Sequence, residues 1–217
     1  MQVFSEQADP LLRAALVAGA LALVGAGVAM GQGLEPPYVT DRGEVVEQPV
    51  PFSHAHHVGQ LGIACLYCHA DVEVSPFAGM PPAHTCMSCH SQLYTDAGML
   101  EPVRRSYREG RPIAWARVYD LPDFVFFDHR AHVRKGVGCE SCHGRVDRMP
   151  LMSQAEGLEM KWCLDCHRDP APHLRPPDAI FAMGWERPPD PAQSPEALAE
   201  LYGLATAHLT DCSTCHR

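Results

Sequence analysis
Cysteine occurs ten times in this chain, always inside the pattern Cys-x-x-Cys-His, and the pattern occurs five times. The copies are Cys65-Leu66-Tyr67-Cys68-His69, Cys86-Met87-Ser88-Cys89-His90, Cys139-Glu140-Ser141-Cys142-His143, Cys163-Leu164-Asp165-Cys166-His167 and Cys212-Ser213-Thr214-Cys215-His216. Two thiols at this spacing, followed at once by an imidazole, suit covalent c-type haem. The thiols add to the two vinyl groups, and the imidazole becomes the proximal iron ligand. One turn of chain sets both sulfurs along one edge of the haem and carries the next residue beneath the iron. On this reading the ten cysteines attach five haem c groups, and His69, His90, His143, His167 and His216 are the proximal ligands.

Three other chemistries use paired cysteines. Structural zinc needs two Cys-x-x-Cys pairs per metal, and the following histidine would be incidental. A thioredoxin-like redox pair needs one motif in a βαβ context, which this chain lacks. A disulfide framework would not put a histidine after every second cysteine. No copy lacks its histidine and no cysteine lies outside a copy, so haem is the reading the pattern supports.

Thirteen histidines less the five proximal ones leaves His54, His56, His57, His84, His129, His132, His173 and His208. The sixth iron position separates an electron wire, with both axial sites filled, from a centre that binds substrate. The ample supply of imidazole favours a wire. Two segments stand out: Phe52-Ser53-His54-Ala55-His56-His57 before the first motif and Phe127-Asp128-His129-Arg130-Ala131-His132 before the third. Superposition matches His54 with His129 and His57 with His132, while His56 falls on Ala131 and is left unligated. The fifth distal ligand stays open among His84, His173, His208, Met149 and Met152, with Met152 the thioether chosen here. Methionine ligation would raise that haem's potential relative to a bis-histidine site, although most methionines simply pack.

These motifs must be positioned by a chain poor in core-forming elements. Its 20 prolines and 17 glycines fit loops and short α-helices wrapped around five haems, with little or no sheet. The motif spacing divides residues 38–217 into two dihaem modules, about 50–91 and 125–168, a linker at 92–124, and a fifth haem within 194–217. The linker holds Arg104, Arg105, Arg108 and Arg111, which suit haem propionates, a partner surface or a solvated helical face. Residues 170–195 are proline-rich and read as extended. Ser194-Pro195-Glu196 reads as the start of a helix running to about Leu209.

From Ala14 to Leu34 there are 21 residues without a charge, enough for a helix of about 30 Å, the thickness of a bilayer's hydrocarbon core. Asp9-Pro10 reads as its start and Pro36-Pro37 as its stop, so residues 1–37 form an N-terminal anchor with one transmembrane helix at about 11–34. A cleaved signal peptide would have a basic leading region and a shorter apolar run. Arg13 before the span, with Glu35 and Asp41 after it, agrees with a cytoplasmic N-terminus. Haem attachment outside the bacterial cytoplasm puts the haem domain on the periplasmic face of the inner membrane. The formal charge of −9 excludes nucleic acid as a partner. It suits a basic docking surface on a partner and equally a solvated acidic exterior.

The Phe-x-His-x-x-His segments resemble those of class III multihaem cytochromes. The resemblance implies that the first histidine serves its own module's haem and the second reaches another. His54 would then serve the Cys65/Cys68 haem and His129 the Cys139/Cys142 haem, with His57 and His132 bridging to others. The stretches Phe52–Gln92 and Leu121–Pro170 and the terminal Leu209-Thr210-Asp211-Cys212-Ser213-Thr214-Cys215-His216-Arg217 resemble the pentahaem cytochrome subunit of alternative complex III. That family implies an electron relay within a membrane quinol-oxidising complex, towards a cytochrome c or terminal oxidase. Its implied partners are an iron–sulfur subunit, polytopic quinol-binding membrane subunits and a monohaem cytochrome, with no catalytic site on this chain. A stand-alone, membrane-anchored quinol dehydrogenase is the rival reading. It would favour a haem motif close to the helix, whereas about 30 residues separate Leu34 from Cys65. A haem reductase or gas sensor would need an open iron position, against which the surplus histidines argue.

Overall fold
The computed structural model describes residues 8–31 and 40–217. The chain divides into two units, the first ending at Thr40 and the second running from Asp41 to Arg217.

In the first unit, α1 spans Ala8–Gly31, 24 residues with no buried side chain, or about 36 Å at 1.5 Å per residue. It is long and apolar enough to cross a membrane. Its start lies about three residues before the position expected from sequence. Asp9 and Pro10 therefore sit inside the first turn, where a missing N–H costs little and an acidic side chain complements the helix dipole. Arg13 closes an i,i+4 pair with Asp9 at 2.7 Å. The expected end at Leu34 and the Pro36-Pro37 stop lie outside the described residues.

The second unit is a chain of short helices. A π-helical turn at Ala55–Gln60 is followed by α2 (Cys65–Cys68), α3 (Ala83–His90), α4 (Glu101–Glu109), α5 (His129–Arg134), α6 (Glu140–His143), α7 (Met160–Arg168), α8 (Pro195–Leu201) and α9 (Cys212–Cys215). The cysteine pairs of the five motifs lie on or at the start of α2, α3, α6, α7 and α9. Among the described residues, β structure amounts to isolated bridges: Arg42 with Gln154, Val45 with Ser153, Val125 with His216, and Val137 with Leu174.

The proline-rich stretch is not extended throughout. It is broken by 3₁₀ turns at Ala171–His173, Pro177–Ala179 and Pro191–Gln193, each with proline in its first positions, where the fixed φ suits a turn. The helix started by Ser194 also ends earlier than expected. Ser194 caps it by accepting from the Ala197 N–H at 3.2 Å. At the other end Gly203 takes φ +52, the Leu204 N–H donates to Ala199 O, and the Gly203 N–H donates to Glu200 O. This glycine-closed pattern satisfies the last carbonyls and stops the helix at Leu201.

The apolar interior is small. Among the described residues, one cluster of buried apolar side chains forms, Val72, Val133 and Ile180, with Leu66, Ala78 and Phe181 packed against it. Leu174 and Leu198 are the largest fully buried side chains. So little buried side-chain surface is less than a domain of this length needs to offset its ordering entropy, unless something else fills the interior between the motifs.

Candidate haem centres
The two Phe-x-His-x-x-His segments adopt matching ring arrangements. Phe52 meets His54 edge-on at 4.9 Å and stacks on His57 at 4.4 Å. Phe127 meets His129 edge-on at 4.8 Å and stacks on His132 at 4.6 Å. One phenyl ring in each segment thus fixes the rotamers of two histidines a helical turn apart, turning them towards different targets.

Those targets are motif histidines. The His57 ring lies 6.2 Å from that of His90, His129 lies 6.3 Å from His143, and His132 lies 6.1 Å from His167, centre to centre. Two imidazoles sharing one metal through nitrogens at about 2 Å would hold their ring centres roughly 6 Å apart. His54 lies within electrostatic reach of His69. The structure therefore brings His54 near the first motif and sets His57 opposite the second, His129 opposite the third and His132 opposite the fourth.

Hydrogen bonds to backbone carbonyls fix which ring nitrogen is free. Nδ1 of His57 contacts Ser53 O at 2.9 Å, that of His69 Gly79 O at 2.8 Å and that of His90 Leu93 O at 3.2 Å. Nδ1 of His129 contacts Pro76 O at 2.9 Å, that of His132 Asp128 O at 2.8 Å and that of His167 Leu209 O at 2.8 Å. A carbonyl only accepts, so Nδ1 carries the proton in each and Nε2 keeps its lone pair for a metal.

Contacts between motifs place them in a series. The His54/His57 turn joins the first motif to the second, as does the Tyr67–Ser88 hydroxyl contact at 2.8 Å. The first and third meet on one strip of chain, where Cys65 Sγ approaches Phe181 O at 3.8 Å and the Cys139 N–H donates to Ile180 O. α5 joins the third to the fourth through His129 and His132. The His167–Leu209 bond joins the fourth to the fifth. The order in space is second, first, third, fourth, fifth.

The surroundings suit a large apolar, anionic-edged group better than a thiolate metal site. Burial pushes the Cys139 thiol up to about 11 and Cys142 to about 12, with nearby cysteines adding to the effect. Thiolate ligation would need the opposite shift, whereas an uncharged thioether is at ease there. Burial also lowers His54 and His143 to about 4, keeping both neutral. Arg104 has a buried Nη1 without a partner on α4, which packs against the motif helix α3, a donor free for a carboxylate of the propionate kind. The residues present fit haem.

The remaining candidates divide. Nδ1 of His56 contacts Gln60 Oε1 at 2.8 Å. His84 lies against Tyr107 at 6.3 Å, and the exposed His208 pairs with Asp211 at 2.9 Å. His173 is exposed. Met149 and Met152 are half-buried. The ring set against His216 is that of Phe124, at 5.8 Å. Of the linker arginines, Arg104 and Arg108 pair with Glu101 at 3.1 and 2.8 Å.

Three positioning groups were not singled out from sequence. Buried Arg175 donates to Glu140 Oε2 at 3.0 Å and to Ala182 O at 2.6 Å, while facing the Trp185 ring, and so locks the third motif. The Tyr119 ring meets His143 at 4.6 Å and its hydroxyl donates to Cys142 O. The loop Pro76–Gly79 supplies carbonyls to His129 and His69, one from each module. An arginine directly before a proline pair and ten residues from a tryptophan was the only available signal for the first. Backbone carbonyls leave none.

The family described as "cytochrome c7 and related cytochrome c" matches residues 125–217. The chain is 34% identical over 171 residues to a protein of Nitratidesulfovibrio vulgaris named "menaquinone reductase, multiheme cytochrome c subunit". The match covers 78% of this chain and 68% of that one.

Proposed function
The chain belongs to the family of multihaem c-type cytochromes that includes this menaquinone reductase subunit, and on that footing we propose that it is the electron-relay subunit of a membrane quinone-linked respiratory complex. The observation that carries the reading is the series of imidazole pairs at 6.1–6.3 Å on motifs that follow one another in space. Haem, when bound, supplies reversible one-electron exchange at iron. The chain's own work would be to attach the groups through the ten motif cysteines and, at the first four motifs, to hold each iron between two imidazoles. At the first four motifs His69, His90, His143 and His167 would be proximal and His54, His57, His129 and His132 distal. At the fifth, His216 would be proximal, and Met152 is the sequence candidate for the remaining distal ligand. Irons held on both sides by protein ligands would leave no place for a substrate, which supports electron relay over catalysis on this chain.

In the finer reading the complex is of the alternative complex III type, with five haems and α1 anchoring the chain in the inner membrane, haem domain outside. An iron–sulfur subunit feeds the chain, polytopic subunits oxidise quinol, and a monohaem cytochrome or terminal oxidase accepts the electrons. The relative's name favours a second reading, in which the same relay runs towards quinone and reduces it.

Purification from native membranes in mild detergent, followed by haem absorbance, tests the role. Recovery in one large assembly with iron–sulfur and polytopic subunits is expected. Recovery as a lone chain still reducible by quinol would place the quinol chemistry here and end the relay reading. Assaying the assembly with quinol plus oxidised cytochrome, and with quinone plus reduced donor, separates the two directions.

A further inference from the structure
The outer nitrogens of the paired imidazoles are held in two ways. At the second and fourth motifs both rings are tied to backbone. His57 and His90 donate from Nδ1 to Ser53 O and Leu93 O, and His132 and His167 donate to Asp128 O and Leu209 O. At the first and third motifs one ring of each pair is tied. His69 donates to Gly79 O and His129 to Pro76 O. Their partners differ: His54 Nδ1 is buried without a hydrogen bond, and among the described residues no hydrogen bond is formed by the half-buried His143 ring, which lies across the Tyr119 ring at 4.6 Å instead.

We infer that this pattern sorts the centres into two classes of reduction potential, the second and fourth low, the first and third higher. The inference deepens the relay reading and rests on its ligand assignment. An Nδ1–H donating to a carbonyl makes the imidazole a more basic ligand, which stabilises ferric over ferrous iron. Two such donors act on one iron at the second and fourth motifs, one at the first and third. Burial also bears on potential, because an apolar setting disfavours the more highly charged ferric state. The first and fourth motifs remove that difference from the comparison, since all four of their cysteines are half-buried. Along the series the order becomes low, higher, higher, low for the first four stations, with the higher pair at the junction of the modules.

The test is a potentiometric titration of the full-length, detergent-solubilised holoprotein, followed by visible absorption and electron paramagnetic resonance. It is repeated on His54→Met, His57→Met, His129→Met and His132→Met, each of which moves one step of the titration and so labels it. Where a methionine variant assembles poorly, the matching glycine variant grown with imidazole supplies the same label. The expected result is that the wild-type steps labelled at His57 and His132 both lie below those labelled at His54 and His129. A His132 step at or above the His54 step overturns the inference while leaving the relay intact. A variant that moves no step, or several equally, overturns the ligand assignment itself and both conclusions with it.

Discussion
Phe52 stacks on His57 at 4.4 Å and Phe127 on His132 at 4.6 Å, with the same interplanar angle of 23°, yet the backbones beneath them differ. His57 lies in a π-helical turn, Ala55–Gln60, and His132 in the α-helix His129–Arg134. Each module uses the position three residues after His54 or His129 to aim an imidazole at the next motif, so ring placement is held constant. The residue two positions further on differs, Gly59 in one module and Arg134 in the other. A Cβ at Gly59 would collide with the backbone carbonyl of Asp147, from the second module. Arg134 reaches back and donates to Glu73 O at 3.1 Å, in the first. The modules clasp one another reciprocally, one by close backbone approach and the other by a side chain. The shared chemistry constrains the imidazoles and leaves the helices free to differ.

The second module holds the middle of the series and the first module's second motif holds an end, which the largest expected effect exploits. Replacing both Cys139 and Cys142 with alanine removes the attachment site whose thiols burial raises to about 11 and about 12 and should abolish accumulation of holoprotein, read as loss of the haem-stained band. The same change at Cys86 and Cys89, where Cys89 is exposed, should leave a folded protein lighter by one haem in its intact mass. Equal loss from both variants would mean that the two ends of the comparison are not structurally distinct.

Next comes the ion pair that locks the third motif. The Arg175 side chain is 9% exposed and its partner Glu140 is 19% exposed. Arg175→Ala removes the shorter of two ion pairs to Glu140, leaving Arg145 at 3.7 Å and the Gly184 N–H at 2.7 Å, a change that costs about 1–3 kcal/mol. Thermal unfolding of the holoprotein should show it, and adding Glu140→Gln should recover part of the loss. No recovery would assign the effect to lost packing against Trp185 instead.

The reciprocal clasp gives a smaller contrast. Gly59→Ala forces a methyl against Asp147 and should destabilise by about 1–3 kcal/mol, the range for overpacking. Arg134→Ala loses one exposed hydrogen bond and should cost about 1 kcal/mol or less. Comparable midpoints in denaturant for the two variants would break the claim that backbone approach is the tighter side of the clasp.

These contacts also mark where the sequence was legible. Covalent attachment demands a fixed spacing, so all five motifs could be read directly, and so could the repeat that carries His54, His57, His129 and His132. A cap with a side-chain requirement, Ser194, was equally plain. The end of its helix depended on a single left-handed residue, Gly203, against a run through Leu209 that would also have suited a helix, and local propensity does not decide between them. The π turn, the Pro76–Gly79 loop and the Nδ1 acceptors use backbone groups that every residue possesses, and no residue type announces them. Arg175 lay in a proline-rich stretch read as extended, whose 3₁₀ turns bring it onto Glu140.

The smallest effect concerns the outer edge of the first module, where α4 packs on α3. Hydrogen bonds from Arg108 and then Arg104 hold the Glu101 carboxyl below its ordinary value of 4.5. A carboxyl depressed on folding adds stability that is present above the unfolded value and is lost as the pH falls through the folded one. Wild type should therefore exceed Glu101→Gln in stability at neutral pH, and the gap should close as the solution is acidified below the carboxylate range. The gap itself should be small, because the pair lies at the surface, where water and salt screen it. The buried Arg175–Glu140 pair should hold its contribution in high salt, whereas that of Glu101 should fade. Titrating salt against the unfolding midpoint of both variants thus contrasts a module edge secured from solvent with a module centre secured from within.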